Sequence, residues 1–466
     1  MVILNRLASL TLPLALTLIA CGSSDPGTPS DGAIHPPTDG ALVSACSLST
    51  SQLPPPAPPA AGGNDTHFAI SRVRSWYLIG NDLTPGHNVL EVSVKAPESV
   101  KSMRLWVNGE GGYQLDRQQD GSFACRRPLE AMAPGAGDVL LTADDSNTAF
   151  AQLSFTRSHP FYVSVSNDWD SADTTDENLK LQDKLHADHP HLRMTHFVGP
   201  YTFTDTTITP ARAAMMAHWV ISMRDHHHDE IGLHIHPFCN FLQVAGVTCR
   251  SQPSFLDKVE GDPSGYTITL DAFTEAEMRM MLVKAKALFE ENGLGTPTSF
   301  RAGGWSAVAS TLRALVQEGF IVDASPANWV YLAEWLNDPK TTLYQWNRDH
   351  WGPINDTTQP YYPSTENIAV AGHPYIPILE LPNNGALADY ITGQQMIDVF
   401  KANWPGGALS EPRAYSIGYH PVNFSDYESR LSEALVFVDR FLAAEDKGPA
   451  VYATVEEFAK VWPQPQ

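Results

Sequence analysis

The feature that most constrains this fold is a change of apolar rhythm close to residue 158. Beyond it, short strand-like stretches alternate with longer amphipathic segments: Phe161 to Val165, Met194 to Val198, Glu230 to Ile235, Ile321 to Asp323 and Ala414 to Tyr419. Strands separated by helix-length connections pair in parallel, so this part of the chain predicts an α/β fold. The clearest helix starts at Thr274, where Glu277 completes a capping box, and its apolar side runs through Met278, Met281, Leu282 and Leu288 before Gly293 ends it. Further helices are predicted over Leu312 to Gln317, Met396 to Ala402 and Leu431 to Ala444. In parallel barrels the reacting groups sit at the C-terminal ends of strands, which is where polar residues should be sought.

Upstream the rhythm differs. Between His67 and Arg157 the apolar residues come in short alternating runs, such as Val89 to Val94, Ser102 to Val107 and Asp138 to Ala143, with turn signals at Pro85-Gly86 and Gly111-Gly112. Residues 66–157 are therefore expected to form a small all-β sandwich of the immunoglobulin or fibronectin kind, acting as a spacer or carbohydrate-docking module, although the Cys-Trp-Cys spacing of antibody domains is absent. Residues 21–65 are rich in Gly, Ser, Pro, Asp and Ala and read as a tether. Residues 1–20 read as an export signal, with Arg6 followed by an apolar run from Leu7 to Ala20 that is short for a membrane span. Leu18-Ile19-Ala20-Cys21 resembles the lipobox of bacterial lipoproteins. That resemblance implies lipidation of Cys21 and attachment to a membrane of the cell envelope, the outer one where there are two.

Export sets the redox expectation. Cys46, Cys125, Cys239 and Cys249 should form disulfides, with the close Cys239–Cys249 pair stapling a loop and Cys46 left for Cys125. The 30 basic and 52 acidic side chains give a net charge of -22, which argues against nucleic acid or an anionic membrane surface as the main partner. Neutral or cationic substrates fit better.

Five constellations fall at predicted strand ends. Asp168-Trp169-Asp170 places two carboxylates one residue apart, so that in an extended segment both point the same way. In Glu230-Ile231-Gly232-Leu233-His234-Ile235-His236-Pro237, two His alternate with aliphatic residues; a strand puts both imidazoles on one face, as two metal ligands would require. The nearby His226-His227-His228 lies among charged residues at a helix-to-strand junction and reads as solvated surface. Arg301 precedes two glycines in Phe300-Arg301-Ala302-Gly303-Gly304-Trp305. Asp323 ends Phe320-Ile321-Val322, and His420 follows Ile417-Gly418-Tyr419.

In this order the five segments resemble the motif set of the polysaccharide deacetylases, which include chitin and peptidoglycan deacetylases. The resemblance covers about residues 158 to 463, within an expected catalytic domain of residues 158–466, and includes Leu379-Glu380-Leu381-Pro382 after the fourth segment. It implies a distorted (β/α)7 barrel holding one divalent ion, Zn2+, on Asp170, His234 and His236. Asp168 would be the general base, Arg301 its charge partner and His420 the general acid, while Trp305, Asp323, Trp329 and Glu380 would contact substrate. The chain departs from the usual pattern: Trp169 separates the two aspartates, which leaves open which is base and which is ligand; the His spacing is one residue rather than three; and Gly418 stands where a Leu is expected. The implied activity is metal-dependent hydrolysis of N-acetyl or O-acetyl groups on a cell-wall or extracellular glycan. The alternatives are a catalytically degenerate glycan-binding protein of the envelope and a metal-dependent hydrolase of a non-sugar amide, since related barrels vary their loops freely.

Overall fold

The computed structural model describes residues 43–48, 57–79, 83–333 and 343–465. The export segment, Cys21 and residues 22–42 of the tether lie outside them. The described residues from Ser44 onward form one compact unit.

The N-terminal part builds two sheets. One has four strands in the order Ala69–Ser71, Val89–Lys95, Phe123–Pro128, Asp116–Arg117; the other has five, in the order Trp76–Leu78, Ala151–Ser158, Gly135–Ala143, Met103–Val107, Glu110–Gln114. Alternation explains the packing: Leu90, Val92 and Val94 of the first sheet share one core with Leu105, Val139 and Leu141 of the second. Two expectations are corrected here. The turn is not Gly111-Gly112 but Asn108-Gly109, both with positive φ (53° and 75°), while Gly111 and Gly112 lie in the following strand beside a register shift. The segment expected to be a free tether up to residue 65 is pinned at two places. Ala45 bridges Arg126 beside the Cys46–Cys125 disulfide, and Ala60 bridges Thr148.

The rest of the chain forms a curled half-barrel of parallel strands. Its strands are β1 (Phe161–Asp168), β2 (Met194–Val198), β3 (Glu230–Ile235), β4 (Ser299–Ala302), β5 (Val322–Asp323), β6 (Leu379–Glu380), β7 (Arg413–Tyr419) and β8 (Ala450–Tyr452), in spatial order β6-β5-β4-β3-β2-β1-β7. β7 occupies one edge of β1 over its first seven residues, so β8 and β2 share the other, β8 beside residues 161–163 and β2 beside 165–168. Among the described residues no strand beyond β6 closes the ring; instead the N–H groups of Gly385 and Ala388 donate to the carbonyls of Ser416 and Gly418 of β7 (both 2.8 Å). The curvature is visible in one contact. Three strand spacings separate β4 from β1, roughly 14 Å in a flat sheet, yet Arg301 of β4 reaches Asp168 of β1 at 2.8 Å.

The helices are α1 (Asp176–Asp188), α2 (Pro210–His227), α3 (Cys239–Ala245), α4 (Glu275–Glu291), α5 (Ala309–Gln317), α6 (Leu343–Trp351), α7 (Gly393–Asn403), α8 (Phe424–Val438) and α9 (Val455–Val461); α4, α5, α7 and α8 are the expected ones, with shifted ends. The Thr274/Glu277 capping box at the start of α4 is present. The helix expected to reach Ala444 stops at Val438 and continues as 3-10 turns over Asp439–Phe441 and Ala443–Glu445. Cys239 and Cys249 are joined across α3. The two parts of the chain meet where the backbone N–H groups of Ser75 and Trp76 donate to the Asp446 carboxylate (2.7 and 2.9 Å). No helix among the described residues is long and apolar enough to cross a membrane.

Candidate metal and catalytic site

β1 runs further than its apolar residues suggest, so Asp168 is its last residue rather than part of a following turn. Alternation sends Asn167 and Trp169 to the outer face and the two aspartates to the inner one. On the outer face the Asn167 amide donates to Gln182 (3.1 Å) and Tyr419 (3.0 Å) and lies 2.8 Å from His196 Nδ1, while its carbonyl accepts from the Trp169 indole (3.1 Å). Trp169 is thus a buried anchor, and the residue that separates the aspartates also holds the strand end from behind. The same layer contains Asp229, which bridges His186 (2.8 Å) and His196 (2.9 Å). Burial opposes its charge, but hydrogen bonds from both imidazoles hold the Asp229 carboxyl down to about 2. His227 is not free surface: it is half-buried and stacks on His186 at 4.0 Å.

On the inner face, His234 ends β3 and His236 follows two residues later. His234 Nδ1 lies 2.9 Å from the Arg301 carbonyl and His236 Nδ1 lies 2.7 Å from the Tyr266 carbonyl. A neutral imidazole has a single N–H, and both are spent on these carbonyls. The lone pairs on both Nε2 atoms therefore face the same Asp170 oxygen, at 3.0 and 3.1 Å. Three acceptors converging on one point call for a cation, and ligand atoms of Asp170, His234 and His236 all lie within 4.8 Å of one another. The donor set fits a divalent ion. Burial pushes the Asp170 carboxyl up, but the neighbouring imidazoles of His420, His236 and His234 more than offset it and hold it well below the usual carboxylate range. Its second oxygen accepts from the Tyr266 hydroxyl (2.7 Å). Gly303 is required here, because a Cβ at that position would lie 2.5 Å from the His236 ring.

Asp168 and His420 flank this cluster. The Arg301 guanidinium is fully buried; Nη1 donates to Asp168 Oδ1 and to the Ser166 hydroxyl (both 2.8 Å), and Nε donates to the Ala324 carbonyl (2.9 Å). The guanidinium also lies over the Phe197 ring, 4.6 Å from its centre. His420 Nε2 is 3.5 Å from Asp170 Oδ2, and its Nδ1 is 3.1 Å from Asp389 Oδ1. Burial works against charge on His420, yet the carboxylates of Asp170 and Asp389 raise its imidazole to about 10. Gly418 replaces the expected Leu for a steric reason: a Cβ there would stand 2.4 Å from the Ser166 carbonyl oxygen.

These residues open onto a cavity of about 180 Å3, whose lining includes Asp168, Asp170, His236, His420 and Asp389 at the polar end and Phe255, Trp305, Tyr390 and Tyr427 along the walls. Of the expected substrate contacts, only Trp305 lines it. Asp323 and Glu380 are fully buried beneath the site, and half-buried Trp329 donates its indole N–H to the Gly352 carbonyl (3.3 Å), away from the cavity lining. The sequence reading did not single out Tyr266 or Asp389. Tyr266 lies thirty positions after His236 in a loop without periodicity; the loop's return is marked by Gly265, with φ +85° and packed so closely that a Cβ would meet the Pro237 carbonyl.

No protein-family model and no curated protein matches the chain. Solved structures similar to it include a protein of Mycobacterium smegmatis provisionally described as a polysaccharide deacetylase (15% identity, 66% of this chain and 95% of that one, TM-score 0.38). A family 4 carbohydrate esterase of Streptomyces lividans in complex with acetate (10%, 63% and 92%, TM-score 0.31) and a peptidoglycan deacetylase of Bacillus subtilis (11%, 64% and 89%, TM-score 0.29) are also similar. Polysaccharide deacetylases thus recur among these neighbours. Likeness of this degree carries no weight of its own; the geometry of the site does.

Proposed function

We propose that the chain is a metal-dependent deacetylase that hydrolyses N-acetyl or O-acetyl groups on a neutral amino-sugar glycan of the cell wall or extracellular matrix. The observation that carries this reading is the meeting of three parts on one cavity: the Asp170/His234/His236 cluster, a carboxylate paired with a buried Arg, and an imidazole backed by a carboxylate. The two nitrogens and one oxygen suit Zn2+. When bound, such an ion supplies Lewis-acid chemistry to an acyl carbonyl and to water.

The chain's own residues divide the proton work. Asp168, fixed by Arg301, accepts the proton of the attacking water, and His420 Nε2 delivers a proton to the departing amine or alcohol while Asp389 holds the opposite ring nitrogen. Tyr266 fixes the free oxygen of Asp170. Phe255, Trp305, Tyr390 and Tyr427 offer apolar faces on which a sugar ring can stack, and among the described residues neither Lys nor Arg lines the cavity to recognise an anionic substituent. Release of acetate from acetylated glycans, abolished by a chelator and restored by zinc or cobalt, is the expected result. Absence of acetate release from every glycan tested, with the cluster fully loaded, would overturn the reading.

We further propose that Cys21 is lipidated and holds the protein on a membrane of the bacterial envelope, with the N-terminal two-sheet part as an immunoglobulin-like or fibronectin-like spacer. Mass spectrometry of the mature N-terminus tests the anchor; an unmodified Cys21 contradicts it.

A further inference from the structure

The inner face of the half-barrel below the site is polar where parallel barrels usually stack branched aliphatic side chains. Ser164 and Ser166 of β1, Ser416 of β7, Arg301 of β4, Asp323 of β5 and Glu380 of β6 are all fully buried. The parallel registers set Ser164 opposite Ser416 and Asp323 opposite Glu380. Among the described residues, Asp323 Oδ2 and both carboxyl oxygens of Glu380 accept no hydrogen bond from any donor group. Ser325 donates to Asp323 Oδ1 at 2.6 Å. Arg301 is the cation whose charge acts on Asp323, and its Nη1 is already committed to Asp168. The other titratable neighbour is Tyr361, whose backbone pairs with Glu380.

Two carboxylates side by side in a buried core repel each other and each loses hydration, so both cannot be charged together. We infer that Asp323 and Glu380 share one proton and, as a singly charged pair, hold Arg301 in place on Asp168. They are positioning residues, two steps from the reacting atoms. Burial raises both carboxyls, Glu380 furthest because Asp323 adds repulsion, while the Ser325 hydrogen bond, the contact with Glu380 and the charge of Arg301 partly relieve Asp323. The two orphaned acceptors of Glu380 and the one of Asp323 are then reduced by a proton that one carboxyl donates to the other. Loss of that proton would place a second negative charge beside Arg301, in competition with Asp168. The shared proton stands on the geometry of the pair; its effect on rate rests on the proposed role of Asp168.

Infrared spectroscopy of the metal-loaded protein, with aspartate and glutamate 13C-labelled in separate samples, tests the shared proton. A second buried acid, Glu230, is raised by burial to about 7, so its band must be separated by pH. The expected result is a carboxylic-acid C=O component that persists after the Glu230 component has ionised, with or without a chelator, and that Glu380→Gln removes. No such component above neutral pH overturns the inference, whatever the activity. The positioning role is read from kcat against pH. Glu380→Gln, which cannot ionise, should shift the alkaline fall of kcat upward with KM equal to that of wild type. An alkaline limb identical in both proteins overturns that role. If the protein releases no acetate while the infrared component is present, the deacetylase reading fails and the shared proton stands.

Discussion

The two parts of the chain bury their interiors in opposite ways. Between the N-terminal sheets the core is made of residues such as Leu90, Val92, Leu105, Val139 and Phe155, tied by one disulfide. The concave face of the half-barrel instead buries Asp168, Arg301, Asp323, Glu380, His234 and His236. Burying charge is costly unless each group is paired, so a fold that concentrates it on one face keeps it for something other than stability. The contrast locates the chemistry.

The largest expected effect is on rate. Asp168→Asn keeps the shape and Arg301's surroundings but removes the proton acceptor, and should lower kcat between about a hundredfold and ten-thousandfold with metal content unchanged; full activity in this variant would assign the base elsewhere. Arg301→Ala should strike stability as well, by about 3–5 kcal/mol in denaturant unfolding, because Asp168 is left buried without its partner. A loss near zero would mean that the inner face is wetter than the packing implies. On the other side of the comparison, Cys46→Ser with Cys125→Ser removes a link that closes a 79-residue separation and should cost roughly 2–4 kcal/mol while kcat stays as in wild type. A matching fall in kcat would show that the two parts act together. The smallest effect is expected at Thr274→Ala, which deletes the exposed cap of α4, for about 1 kcal/mol in thermal unfolding and none in activity.

What the sequence revealed and what it hid follows from range. His234 and His236 were legible because a period of two in an apolar strand fixes their common face locally. The capping box at Thr274 was equally local. Asp389 and Tyr266 were not, since each reaches the site through an irregular loop whose path is set by backbone hydrogen bonds and a close glycine contact far along the chain. For the same reason the layer joining Asn167, His196, Asp229 and His186 left no pattern: its members come from β1, β2, α1 and the residue before β3, and meet only when the strands pair. Asp323 and Glu380 were visible as polar residues at strand ends, but their depth beneath the cavity depends on the curl of the sheet. The pinning of residues 45 and 60 escaped composition, because a Pro- and Ser-rich segment can still bridge an exposed strand edge.

The central claim is that Asp170, His234 and His236 hold a divalent ion. Its most direct test is metal content by mass spectrometry on a soluble form beginning at Ser44, which keeps the whole compact unit, for wild type and His234→Ala, each with folding checked by circular dichroism. About one zinc-like ion per chain in the wild type, lost in the folded variant, is the predicted result. No metal in the wild type after reconstitution, or equal metal in both proteins, would contradict it.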